Sequence, residues 1–500
     1  MDRPTHAEVL IAGAGAAGLT LAIELARRNV PVRLVDTAER PFIGSRGKGL
    51  QPRTLEVLED LGVLNRMAAI GGPYPPTRSY GPGGYEDALM FERQPETPAI
   101  PYAEPLMLAQ HLTEGVLRDR LAEFGVRPQF GCALTGFDQD EAGVEARLET
   151  PSGEERLRVS YLIGADGGRS FVRGALGIDF PGKTMPGRGL VADVALEGLE
   201  RDVWHRWNPP GGMPLALCPL MGTDLFQLQG GVAIGEDDEP DLSDEALRAI
   251  VAERTGRADI VIGDVFWRSS FRLNARLADR YRVGRVFLAG DAAHVHPPTG
   301  GQGLNTSVQD AYALGWRLAA ALAGAPDALL DTYEAERRPI AAEVLGLSTR
   351  LLDAGIAQGD MRRGRENHQI DLGYFDSSLV LERRSRSGRR PAGARAPDAR
   401  LGGAGGQAVR LFEVMRGPQW TLLGYETARA GAPAPREGLA IHRIGADGEL
   451  HDAHGDFAAA YDPDPGDWVL IRPDGYIGAI VAAGEGPALD AYLARLGLGA

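Results

Sequence analysis

The stretch Val9–Ala26, VLIAGAGAAGLTLAIELA, decides the fold. A short apolar run of strand length passes straight into Gly13-Ala14-Gly15-Ala16-Ala17-Gly18, and apolar residues at helical spacing follow. The next apolar run, VPVRLVD, ends on Asp36, about 20 residues beyond the glycines, the spacing of a dinucleotide-binding βαβ unit. In that reading Gly13 permits the tight turn, Gly15 lets a pyrophosphate approach the backbone, and Gly18 lets the helix pack closely on the strand. Ala16 and Ala17 open the helix, whose unpaired N–H groups and dipole attract the anion, and Asp36 accepts a hydrogen bond from a ribose hydroxyl. A secretory signal core has a similar texture, but no net basic segment precedes it and ordered βαβ sequence continues after it. The fingerprint leaves FAD and NAD both open.

Two later stretches separate them. YLIGADGGRSFVRGALGI (Tyr161–Ile178) and GRVFLAGDAAHVHPPTGGQGLN (Gly284–Asn305) each end a small apolar strand on Gly and Asp. A dehydrogenase that binds only NAD has no use for two more such turns. FAD has, because its ribityl hydroxyls give a carboxylate such as Asp291 something to hold. His294 and His296 beside Asp291 invite a zinc reading, but no third and fourth ligand lie nearby, so no metal is expected. Both are read as structural hydrogen-bonding histidines, with His296 also at the border of the pocket.

The trio GAGAAG, GADGGRS and GDAAHVHPPTGGQGLN resembles the single-component FAD-dependent aromatic hydroxylases, the p-hydroxybenzoate and phenol hydroxylase group. The nearest-looking members are the aromatic polyketide hydroxylases with a C-terminal thioredoxin-like domain. The resemblance, over roughly residues 5–385, implies non-covalent FAD held by Gly13, Gly15, Ala16, Ala17, Gly18 and Asp36, where many members carry Glu. It adds Arg46 of SRGKGLQPRTLEVLEDLG at the flavin, Gln110 of LAQHLTEGVLRDRL at the ribityl chain, Leu134 of GCALTGFDQD at the adenine, and Asp166 in a loop linked to FAD and nicotinamide. Gly290 and Asp291 would close the strand on the ribityl chain. Pro298, Gly301, Gly303, Leu304 and Asn305 would line the isoalloxazine, with Pro297 stiffening the loop and a helix from near Asn305 aiming its positive end at the ring.

What the resemblance implies chemically is hydroxylation of a phenolic or polycyclic aromatic substrate with O2 and transiently bound NAD(P)H, NADPH ahead of NADH, through a flavin C4a-hydroperoxide. Oxidative inactivation of an aromatic antibiotic, and a flavoprotein that binds an aromatic ligand without turning it over, stand as alternatives.

The expected fold class is α/β: a Rossmann-like FAD-binding domain (1–180 and 265–385), an inserted antiparallel substrate-binding sheet (72–100 and 181–264), a linker (386–402) and a thioredoxin-like domain (403–500). In LFQLQ the alternation puts Gln227 and Gln229 on one face of a strand and Phe226 and Leu228 on the other, without saying which face looks to the flavin. His205, Gln227, His296 and Pro298 are the candidate pocket residues; no catalytic base is identified. The cluster Trp204, His205, Arg206, Trp207 reads rather as a cap of the sheet, and Gly71–Asp87, rich in Pro, Gly and Tyr, as an entrance cover or plain surface loop.

Composition supports the remaining expectations. Lys+Arg 53 against Asp+Glu 68 gives a net charge of -15 over 500 residues, which argues against nucleic acid as a partner. Cys132 and Cys218 are too few for a disulfide framework or thiolate zinc site, and neither lies in the C-terminal region, so thiol redox chemistry is excluded there. A reducing cytoplasm, no membrane span and a monomer or homodimer are expected.

Overall fold

The computed structural model describes residues 7–208, 213–232, 239–358, 362–386, 388–428 and 432–498, apart from the side chains of 186, 299 and 353–358. The Gly/Pro break at 209–212 therefore lies outside the described residues. Val9–Ala12 is buried along its whole length inside a six-stranded sheet, as a run apolar on both faces requires. Val32–Asp36 pairs with it on one side and Tyr161–Gly164 on the other, both parallel, and Val286–Leu288 lies parallel beyond Tyr161–Gly164. The strands that carry the three glycine-rich turns are thus consecutive neighbours, and their turns open at one edge of the sheet. The helices Ala16–Ala26 and Gly303–Leu322 pack together behind that edge.

The second layer is an eight-stranded sheet in the order His294–Val295, Val261–Leu277, Gly182–Glu197, Phe226–Val232, Leu215–Pro219, Trp204–Trp207, Thr77–Gly81, Gly84–Ala88. Its pairs are antiparallel except Trp204–Trp207 with Thr77–Gly81, which run parallel. Helix Asp244–Thr255 covers its outer face, with Ser243 capping the first turn by accepting from the Ala246 N–H and Gly256 left-handed at the end.

Two sequence expectations change here. Residues 77–88 form a hairpin added to the sheet edge rather than a loop, because backbone pairing with Trp204–Trp207 and within the hairpin outweighs the turn-rich composition. The expected domain limit at 264/265 falls inside Val261–Leu277, which runs on unbroken and joins the two layers through His294–Val295.

The third layer, also an eight-stranded mixed sheet, begins with Leu381–Arg383 and includes Arg400–Gly403. The 386–402 segment is therefore no solvent-borne linker. Residues 392–399 are buried, and the Arg395 guanidinium donates to Glu56, to the Ile370 carbonyl and to the Ala99 carbonyl. At the segment's start Arg386 pairs with Asp462 and Asp464 on the surface. No helix among the described residues is long and apolar enough to cross a membrane.

Candidate functional site

The three turns are pressed together until side chains do not fit. Gly13 has φ +108°, and a Cβ there would stand 2.1 Å from the Ala165 carbonyl oxygen and 2.9 Å from the Asp166 nitrogen. A Cβ at Gly18 would stand 1.9 Å from the Gly13 carbonyl oxygen, so the close contact that glycine allows is with the turn itself. Gly15 differs: a Cβ would meet nothing nearer than Glu114 Oε1 at 3.8 Å, so the open side of the turn faces a space rather than protein. Asp36 braces this turn, accepting from the Ala14 N–H at 2.7 Å and the Ala38 N–H at 2.8 Å. The Cys132 N–H donates to the Asp36 carbonyl, which brings Leu134 to the same end of the sheet.

The loop 44–50 and the stretch 290–305 close the other side. Gln110 Oε1 accepts from the Gly47 N–H, and Gln110 Nε2 donates to Glu114, whose carboxyl burial pushes up while Gln110 opposes. Asn305 is a staple: its amide accepts from the Gln51 N–H and donates to the Gly49 and Gly301 carbonyls. Leu304 packs on Gly47. The Asp291 side chain is open to solvent yet ringed by protein, whose desolvation raises its carboxyl while His294 and Arg46 oppose. Arg46 stands over Phe42 and Trp267, 5.9 and 6.0 Å from the ring centres. Gly290 packs against Ala17 and Ser307, and Asp310 accepts from its N–H.

The histidines resolve as hydrogen-bonding residues. His294 Nε2 lies 2.6 Å from Asp310, which Arg337 also holds, and no group of three His, Cys, Asp or Glu able to hold a metal occurs among the described residues. His296 donates from Nδ1 to the Pro297 carbonyl, leaving Nε2 a buried lone pair with no partner beside Gly303. Burial and His294 push it down to about 4, so it is neutral at pH 7.

The sheet above answers which face looks inward. The register aligns Trp267, Asp193, Gln227, Cys218 and Trp204 in one row across the strands. Gln227 donates to the Ser45 carbonyl and hydroxyl, Ser45 donates to Asp193, and Lys48 donates to Gln227. The Gln227 face therefore meets the 44–50 loop. His205 is turned the other way: it pairs with Tyr80 and the Glu200 carbonyl and stacks on Trp207, on the side that helix Asp244–Thr255 covers. Alternation puts His205 out of the candidate pocket and its neighbours Trp204 and Arg206 into it. Ser45, Lys48, Asp193, Glu114 and Arg363 escaped the sequence reading; a lysine flanked by glycines in SRGKG was the one available signal.

Two helices open on this site without a side-chain cap, Ala16–Ala26 at Gly15 and Gly303–Leu322 at Gln302. Asp166 Oδ1, both amide atoms of Gln51 and Gln302 Oε1 are buried around it without partners among the described residues. Such a set of unmet donors and acceptors fits a polar, elongated, anionic cofactor.

The comparisons agree. Residues 6–348 match the family described as FAD binding domain, and residues 389–497 that described as aromatic-ring hydroxylase, C-terminal. A flavin-dependent monooxygenase of Mycobacteroides abscessus is 43% identical over 98% of this chain and 99% of its own. The 6-methylpretetramide 4-monooxygenase of Streptomyces rimosus is 34% identical over 94% of this chain and 90% of its own. The solved structure of aklavinone-11 hydroxylase with FAD and aklavinone covers 99% of both chains at 28% identity with a TM-score of 0.81.

Proposed function

The chain belongs to the FAD-binding family whose C-terminal region is that of aromatic-ring hydroxylases, and from that premise we propose that it is a monooxygenase hydroxylating a phenolic or polycyclic aromatic compound with NAD(P)H and O2. The observation that carries the reading is the meeting of three glycine-rich turns at one sheet edge, opposite a sheet face bearing Gln227, Asp193 and Trp204.

FAD is the cofactor, and when bound it supplies the electron and oxygen-transfer chemistry. Gly13, Gly15, Gly18 and the first N–H groups at Ala16 and Ala17 would take the pyrophosphate. Asp36 would reach the ribose with the lone pairs its two backbone bonds leave free, and Leu134 would meet the adenine. Gln110, Arg46 and Asp291 would lie along the ribityl chain, and Asp166 offers a free carboxylate oxygen. Gly290, Pro298, Gly301, Gly303, Leu304 and Asn305 would present backbone to the isoalloxazine, with the uncapped N-terminus of Gly303–Leu322 favouring negative charge there. The chain's own part in the reaction is to orient the ring, exclude water and hold a proton acceptor near the substrate hydroxyl. His296 Nε2, a neutral acceptor beside Gly303, is the candidate for that role, with Gln227, tied to Ser45, as the candidate for orienting the substrate. The third layer is read as a thioredoxin-like domain without cysteines, a packing element.

The purified protein is expected to be yellow. Aromatic compounds should accelerate its NADPH oxidation and emerge with an oxygen atom from labelled dioxygen. A colourless chain that FAD cannot reconstitute contradicts the reading, and ligand binding without any change in oxidation rate points to a non-catalytic flavoprotein.

A further inference from the structure

Three cations crowd the inward face of the eight-stranded sheet. Lys48 is buried, reaches Gln227 and lies 4.1 Å from the centre of the Trp204 ring. Arg206 follows Trp204 by two residues on the same strand, and so on the same face, within electrostatic reach of Arg363. Arg363 is buried, 5.3 Å from the centre of the Phe91 ring, and a Cβ at Gly301 would come within 3.0 Å of its Nη1. Among the described residues none of these three forms an ion pair. Arg53, Arg317, Arg337, Arg395 and Arg472 are buried like Lys48 and Arg363, and each has a carboxylate.

The described residues offer them little negative charge. Burial pushes the Cys218 thiol and the Tyr74 phenol up, which keeps both neutral. Asp193, the carboxylate in reach of Lys48, accepts the Ser45 hydroxyl and is itself pushed up to about 6 by burial. Lys48 gains part of its compensation from the Trp204 ring. Arg363 likewise stands over the Phe91 ring and bonds the Tyr74 hydroxyl, but neither it nor Arg206 can shed its charge, because arginine keeps its proton in proteins. Among the described residues these two desolvated charges have no carboxylate, and they lie beside an apolar and aromatic lining of Tyr74, Met90, Phe91 and Trp204.

We propose that Lys48, Arg206 and Arg363 set the substrate class: the hydroxylase selects a planar aromatic compound that is an oxyanion at neutral pH, an acidic enol or a carboxylate, and holds its negative edge against this cluster. The inference rests on the monooxygenase reading above. A planar oxyanion matches the fork of a guanidinium in two parallel hydrogen bonds, while its rings stack on the aromatic lining. Gly301 places the cluster next to the loop assigned to the isoalloxazine, so the anion would anchor the ring at the reacting end of the site.

Holoenzyme would be titrated, by flavin absorbance, with 2-hydroxy-1,4-naphthoquinone and its methyl ether, and with 1-hydroxy-2-naphthoate and its methyl ester. In at least one pair the ionised member should bind roughly tenfold tighter or more than its neutral derivative. Arg363→Gln and Lys48→Met should each reduce that ratio by about fivefold or more while changing the neutral member's affinity by less than about twofold. The pair that shows the preference separates an enol from a carboxylate. Equal affinity within both pairs, preference for the methylated members, or binding of none overturns the inference. The wild-type titration decides it even where a variant fails to fold. The monooxygenase reading fails on a different result, namely no accelerated NADPH oxidation and no oxygenated product with any aromatic compound. An enzyme that oxygenates neutral aromatics and ignores charge keeps that reading and loses this inference.

Discussion

The helix Gly303–Leu322 has a group of cations near each end, and the two are built by opposite rules. Toward its C-terminal end Arg317 and Arg472 face Glu336 and Asp474, with Arg472 making two bonds to each carboxylate and Trp316 a further one to Asp474. Toward its first turn Lys48, Arg206 and Arg363 have, among the described residues, Asp193 alone within reach, and that carboxylate is tied to Ser45. The first group is electrically closed and joins the third layer to the flavin-binding layer. The second is open, and its charge is available to something outside the chain. Burial alone does not distinguish a structural ion network from a binding site; the balance of charge does.

The largest effect should come from opening the closed group. Arg472→Met leaves Glu336 and Asp474 buried without their main partner, and removal of one member of a buried pair costs about 3–5 kcal/mol. Denaturant unfolding should show that loss, and FAD should be held less well because the same helix opens at the cofactor site. A variant as stable as the parent would erase the distinction between the two groups.

Acid should separate them next. Burial raises the Glu336 and Asp474 carboxyls, but Arg472 and Arg317 outweigh it and hold both below the usual range. Their contribution to stability is therefore present above the unfolded value near 4 and is lost as pH falls through the lower folded values. Asp193 has the opposite sign: burial lifts it to about 6, so the folded state prefers its neutral form and loses stability as pH rises from about 4 to about 6. Asp193→Asn should abolish that second dependence. Above pH 6 it should gain about 1 kcal/mol of stability and tighten binding of the anionic naphthoquinone, since a competing negative charge is gone. Thermal melts across pH, on parent and variant, read both signs.

How much of this was legible beforehand follows from the range of the interactions. The Gly13, Asp166 and Asp291 turns could be read because each is a strand end followed by glycine and a helix or loop start, a local pattern. That they meet follows from the strand order, of which the fingerprint carries only the pairing of Val9–Ala12 with Val32–Asp36. The face of the sheet was not legible: alternation divides Gln227 from Phe226 and Trp204 from His205, but only the contact of Gln227 with Ser45 says which half is inside. The hairpin at 77–88 and the buried 392–399 segment lacked periodicity, since one is held by a neighbouring strand and the other is covered on all sides. Arg363 was invisible for a deeper reason. An arginine acquires meaning from the carboxylate it lacks, and that absence exists only in three dimensions.

The smallest stability effect is the sharpest test of the comparison. Lys48→Met removes one cation by the same kind of exchange as Arg472→Met, yet should leave stability within about 1 kcal/mol of the parent. The acceptor that Lys48 serves is not orphaned, because Gln227 Oε1 also accepts from Gln229 Nε2 at 2.6 Å. The unbranched methionine stem can keep the packing on Trp204, and one of three like charges disappears. Differential unfolding of the two methionine variants, side by side, then weighs a cation with two buried carboxylates against a cation with none of its own. Should Lys48→Met prove as damaging as Arg472→Met, the cluster at the sheet face is structural after all, and its charge is matched by something within the fold.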